Sequence, residues 1–196
     1  MTKHLGSSIR LWAALFAQDS ERLKVAAEAL RQEAGDGFLR EVLHLAHLYV
    51  GFPRVVQALN HLPPAEPQAA GPSRRVGTPR ELGEQSFREV YGEDAEPVLA
   101  HLRKLDPAFA ALVLGHAYGE VFAQSPLDLM TRERLSVLAL VATHCELQAR
   151  SHMRACLRHG ASLEELRSDL RLADWLNPEQ IALGEHCLEE EQARRS

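Results

Sequence analysis

Between Leu129 and His144 apolar side chains fall on nearly every side of a helix. Leu135, Val137, Leu138, Leu140 and Val141 leave no face for solvent, and the one acid in the stretch is Glu133. Such a helix belongs at the centre of a helical bundle. The rest of the chain agrees with that all-α architecture, because apolar residues recur at spacings of three and four and no run of alternating β-branched residues appears. Helices are predicted near 8–18, 20–34, 37–50, 53–62, 80–91, 94–104, 107–123, 129–144, 146–159, 162–172 and 178–193. Their ends carry capping chemistry. Asp106-Pro107 and Asn177-Pro178 each set an N-cap acceptor before a proline at the first helical position. Gly160 supplies the left-handed residue a helix C-terminus favours, and Ser162 with Glu165 forms a capping box for the next helix.

A chain of 196 residues, 45% of them hydrophobic, buries a core without a disulfide or metal staple. The longest wholly apolar run, Leu11 to Ala17, is far short of the roughly 20 residues a membrane span needs. Lys3 and Arg10 precede that run, but the charged segment Asp19 to Lys24 follows without a small-residue cleavage site, so a cytoplasmic protein is expected. Lys and Arg total 22 against 27 Asp and Glu, a net charge of -5, and no basic stripe is present. Nucleic acid and membrane are therefore not expected partners; a small-molecule substrate is. Cys145, Cys156 and Cys187 are too widely spaced for a disulfide framework or a zinc ribbon, which leaves buried or reactive thiols.

Residues 63–79 hold five prolines, Gly71 and Gly77, and read as a linker. The linker separates an N-terminal helical segment, 1–62, from a longer one, 80–196. Residues 1–62 carry 7 basic and 6 acidic side chains, and the remainder carries 15 and 21, so opposite signs favour docking of the two. A weak internal repeat relates Ile9–Gly37 to Arg134–Ser162, each a short apolar helix, an Ala-rich helix and a turn containing glycine.

The densest chemistry follows the apolar helix, in C-E-L-Q-A-R-S-H-M-R-A-C-L-R-H-G. At 100° per residue Cys145, Gln148, His152, Cys156 and His159 share about 80° of arc, a polar stripe suited to lining a pocket between helices. Leu147, Met153 and Leu157 form an apolar side, and Arg150, Arg154 and Arg158 a solvated or interface face. The plainer reading makes Cys145 and Cys156 core thiols and His152 a satisfied semi-buried histidine. His44 and His47 lack a third ligand and read as structural. Gly115 and Gly119 indicate close helix packing.

The run from Glu133 through Cys145 and Gln148 to His152 resembles the active-site helix pair of the carboxymuconolactone decarboxylase and alkylhydroperoxidase D-like family. Three more segments carry the resemblance. L-D-P-A-F, Leu105 to Phe109, precedes H-A-Y-G-E-V-F, His116 to Phe122, which is similar to the family's H-A-W-G-D-I-W. G-A-S-L-E-E-L, Gly160 to Leu166, is similar to G-A-T-x-E-E-I, and L-H-L-A-H-L-Y-V-G-F-P, Leu43 to Pro53, resembles the closing helix L-L-H-x-A-x-Y-x-G-F-P. The resemblance covers about residues 38–62 and 81–172.

That resemblance implies an alkylhydroperoxidase D-like helical bundle, in a homo-oligomer, trimer or hexamer. Two departures matter. The G-F-P helix comes before the site helices rather than after them, so the order of repeats is permuted or duplicated, and residues 8–62 are expected to complete the core of 81–196. The two cysteines that dithiol peroxidases of the family place three apart are here Cys145 and Gln148. Cys156, roughly 16 Å along the same helix, is beyond the roughly 7 Å reach of a bridge to Cys145. The resemblance then implies cofactor-independent lyase or isomerase chemistry on a small carboxylated lactone or related acid, with no metal. His152 is the general acid/base, Glu133 its orienting partner, Gln148 or Cys145 a donor to lactone oxygens, and His116, Tyr118 and Glu120 pocket residues. Two alternatives stay open: a thiol-dependent peroxidase using Cys145, alone or with Cys187, and a non-catalytic helical assembly.

Overall fold

The structure, a computed structural model, describes residues 3–64, 76–123 and 125–195. It is all-α, with no strand among the described residues, and no described helix is long and apolar enough to cross a membrane. The chain divides into two units, one made of Met1–Gln68 with Leu127–Ser196 and the other of Ala69–Pro126. Most of the proline-rich linker, residues 65–75, lies outside the described residues.

The first unit contains α1 (Leu5–Ala17), α2 (Ser20–Ala34), α3 (Asp36–Leu59), α7 (Leu129–Ala142), α8 (Glu146–Arg158), α9 (Leu163–Leu172) and α10 (Pro178–Arg195). Helix α7 is its centre, packing on α1, α3, α8, α9 and α10, and every residue from Thr131 to Val141 is buried. Each of its large apolar side chains contributes roughly 1.5–3 kcal/mol of burial before chain entropy is counted. The N-terminal helices therefore share a core with the C-terminal ones. Trp12 stacks near Tyr49 and donates its indole N–H to the Val42 carbonyl, while Phe16 stacks on Trp175 at 5.6 Å between ring centres.

The capping devices stand where their chemistry puts them. Ser162 and Glu165 exchange both capping-box bonds, and Asn177 and Gln180 do the same at the start of α10. Gly160 has φ 99°. The two expected helices, 37–50 and 53–62, are the two arms of α3, parted at Gly51, whose non-helical φ of 78° and ψ of 160° turn the axis just before Pro53. Proline has no N–H for the helical ladder, and glycine tolerates the left-handed φ, so the pair ends one arm and starts the next in a new direction.

The second unit holds α4 (Pro79–Tyr91), a 3₁₀ turn (Gly92–Asp94), α5 (Ala95–Leu105) and α6 (Pro107–Leu112), which passes into a π-helix, Val113–Phe122. The single helix expected over 107–123 thus changes its winding part-way. Helix α4 and the π-helix touch backbone to backbone. A Cβ on Gly83 would sit 1.9 Å from the Leu114 carbonyl oxygen, and one on Gly119 would sit 1.9 Å from that of Pro79. Gly115 does not share this role, since nothing lies within 4 Å of its missing Cβ.

Candidate functional site

Helix α7 ends in a tight reversal. Thr143 returns its hydroxyl to the Ala139 carbonyl, His144 adopts φ 56°, and the Cys145 N–H bonds the Leu140 carbonyl at 2.8 Å. This turn lays α8 back along α7 and brings one titratable group from each into contact. His152 Nδ1 lies 2.7 Å from Glu133 Oε2, with Glu133 wholly buried and His152 5% exposed. The second carboxylate oxygen, Oε1, is also buried and has no hydrogen-bond partner among the described residues. Such an orphaned acceptor is uncommon in a folded interior.

The stripe on α8 does not have one environment. His152 and Cys156 are buried, Cys145 is half-buried at the N-cap with its sulfur against Thr143, and Gln148 and His159 are exposed. Burial, then the charge of Glu133, pushes the Cys156 thiol well above its ordinary pKa. Burial, then Glu146, pushes Cys187 on α10 to about 11. All three cysteines are free.

Other expected faces need correction. Leu147, assigned to the apolar side, is 71% exposed. Arg150 and Arg154 do not face solvent alone; they bond the buried carboxylate of Glu191 on α10 at 3.3 and 2.8 Å. The second unit carries the remaining candidates. His116 Nδ1 meets Glu120 Oε2 at 2.7 Å one turn on, and Tyr118 is buried in an aromatic cluster with Phe87, Tyr91 and Phe122. Two cavities of the first unit, about 330 and 220 Å³, include neither Glu133 nor His152 in their linings.

Two polar contacts made by α7 were not singled out by sequence. Tyr49, inside the G-F-P-bearing motif on α3, donates its hydroxyl to Ser136 at 2.6 Å, and Ser136 bonds the Arg132 carbonyl. Arg134 grips Asp169 on α9 through Nε and Nη2, at 2.5 and 2.8 Å. Burial opposes the Arg134 charge, but its bonds to Asp169 outweigh that and hold its pKa above the ordinary value. The signal for Tyr49 was present in its motif. Asp169 had none, because its partner is 35 residues away.

Residues 107–177 match the model of the carboxymuconolactone decarboxylase family. The chain is 30% identical over 145 residues to "Peroxisomal protein 2" of Schizosaccharomyces pombe, covering 69% of this chain and 66% of that protein. It is 31% identical over 80 residues to a 4-carboxymuconolactone decarboxylase of Acinetobacter baylyi, covering 40% of this chain and 60% of that enzyme. The matches thus span 66% and 60% of these relatives' lengths. No solved structure gives a significant match. On the matched region and the name it shares with one relative, residues 107–177 belong to the carboxymuconolactone decarboxylase family.

Proposed function

We propose that Glu133 and His152 form an acid/base dyad for cofactor-independent decarboxylation or isomerisation of a small carboxylated lactone. The observation that carries this reading is the buried 2.7 Å contact between Glu133 Oε2 and His152 Nδ1. A carboxylate on Nδ1 fixes the orientation of the ring, leaving Nε2 as the nitrogen that exchanges a proton with substrate. In decarboxylation of 4-carboxymuconolactone, the bond from ring carbon to carboxylate breaks. Carbon dioxide leaves, the electron pair passes through the conjugated alkene into the lactone carbonyl as an enolate, and His152 delivers a proton to carbon. Solvent then restores that proton. Gln148 and Cys145, earlier on the same helix face, are assigned as donors to the lactone oxygens. Because Gln148 is exposed and His152 is buried one turn on, the stripe leads from solvent to the dyad.

A homo-oligomer, trimer or hexamer, fits the exposed Phe109 and Leu112 three apart on α6. The free cysteines fit a reducing compartment, and the cytoplasm is the one we assign.

The test is turnover of 4-carboxymuconolactone, followed by carbon dioxide release. His152→Gln lowers kcat about 10²–10⁴-fold, the usual contribution of a positioned acid or base. Glu133→Gln lowers kcat with KM little changed, because Glu133 acts through His152. Cys145→Ser leaves most activity in place. The reading fails if His152→Gln turns over like wild type, or if peroxide consumption that needs Cys145 but not His152 is the activity found.

A further inference from the structure

The larger cavity of the first unit, about 330 Å³, lies wholly outside the family-matched residues 107–177 and has no part in the dyad chemistry. It lies against the part of α3 that follows the Gly51 kink. The turn swings the end of α3 across the α1–α2 junction, so that Arg54, Ala58 and His61 face Ala14, Leu15 and Leu23 over an open space. Its floor is apolar: Ala14, Leu15, Leu23 and Ala58 are each no more than 3% exposed. Its rim is polar, with Gln57 and Asn60 along the α3 side. The volume falls at the lower end of the roughly 300–1,000 Å³ range of ligand pockets.

Three titratable groups line this space: Asp19, Arg54 and His61. The Asp19 carboxylate is committed to the first turn of α2, accepting the Glu21 and Arg22 amides at 3.1 and 3.0 Å. Arg54 is committed to little. Among the described residues its one polar contact is the Phe16 carbonyl, 3.3 Å from Nη1, and no carboxylate pairs with it. The smaller neighbouring cavity, which shares His61, offers a contrast. Its Lys24 and Arg31 are already paired with Glu21 and Glu28, at 2.7 and 2.8 Å. An unpaired guanidinium over an apolar floor calls for an anion attached to an apolar body.

We propose that this cavity is a binding site for a small amphiphilic monocarboxylate, its carboxylate on Arg54 and its hydrocarbon on Ala14, Leu15, Leu23 and Ala58. The test uses the full chain at neutral pH with hexanoate as probe and hexan-1-ol as its uncharged control. Binding is followed by calorimetry and by ¹H–¹⁵N amide shifts. Hexanoate should bind saturably, one per chain, with shifts concentrated in residues 14–23 and 54–61. Arg54→Gln should weaken hexanoate roughly ten- to hundredfold, the value of a hydrogen bond to a charged group, and leave hexan-1-ol unchanged. Arg54→Lys should recover part of the loss. His152→Gln should bind hexanoate like wild type, which keeps this site distinct from the dyad. The proposal is overturned if hexanoate binds Arg54→Gln as tightly as wild type, if the shifts centre on Glu133 and His152, or if no saturable binding occurs.

Discussion

Replacing Gly119 by alanine separates packing from chemistry inside H-A-Y-G-E-V-F, the segment similar to the family's H-A-W-G-D-I-W. The new Cβ would stand 1.9 Å from the Pro79 carbonyl oxygen, 2.6 Å from its carbon and 3.0 Å from its Cα. All three are backbone atoms, so no side chain can rotate away. The first contact is roughly 1.5 Å short of ordinary van der Waals separation. Relief therefore requires α4 to move off the π-helix, which also loosens Gly83 against Leu114 and the stacking of Phe87 between Tyr91 and Tyr118. Overpacking of this kind costs about 1–3 kcal/mol, and a backbone clash belongs at the upper end. Urea unfolding followed by circular dichroism measures it, with Gly115→Ala as the control on the same segment. Gly115 has open space where its Cβ would stand and no left-handed φ. That substitution should be neutral or gain about 0.4–1 kcal/mol from reduced chain entropy in the unfolded state. Equal stability of Gly119→Ala and wild type would refute the argument, as would equal damage from both alanines.

Two further outcomes follow from the thiols and the caps. With a disulfide reagent at mildly alkaline pH, half-buried Cys145 should react in the native protein. Cys156 and Cys187, both fully buried and with raised pKa, should react only after denaturation, so a native count above one per chain would contradict their assignment. Ser162→Ala should cost about 1 kcal/mol at neutral pH by removing the capping box of α9. The Glu165 carboxyl is held below its ordinary pKa of 4.5 by backbone and side-chain bonds from Ser162. A lowered folded-state pKa stabilises above 4.5 and is lost as pH falls through the folded value. The difference between Ser162→Ala and wild type should therefore shrink in acid; a difference constant from neutral pH to acid would exclude the link.

What could be read from sequence was local or periodic. The caps at Asp106, Ser162 and Asn177 are decided within three residues, and all three hold. The central burial of α7 follows from the absence of any polar face other than Glu133 and its neighbours. The π-helix could not be read, because ten residues are too few for the slightly longer period of i→i+5 winding to stand out from that of an α-helix. Nor could the partners of Arg150 and Arg154, whose recurrence every fourth residue looks like a solvated face until Glu191 is brought under them from α10.

The stripe on α8 shows where periodicity stops being informative. Helical spacing fixes the angle of a side chain about its axis but not its depth along that axis. Gln148, His152 and His159 share one angle, yet the first and last are exposed and the middle one buried, because α7 and α10 cover only part of the helix. Depth is what changes the chemistry. An imidazole at the surface is surrounded largely by water, whereas His152 is fixed by a wholly buried carboxylate. The partnership of Glu133 with His152 spans 19 residues and a left-handed turn at His144, so no repeat of three or four announces it. It was accessible only because the order Glu, Cys, Gln, His resembled a known helix pair, and a motif of that kind encodes tertiary contact that single-helix periodicity cannot.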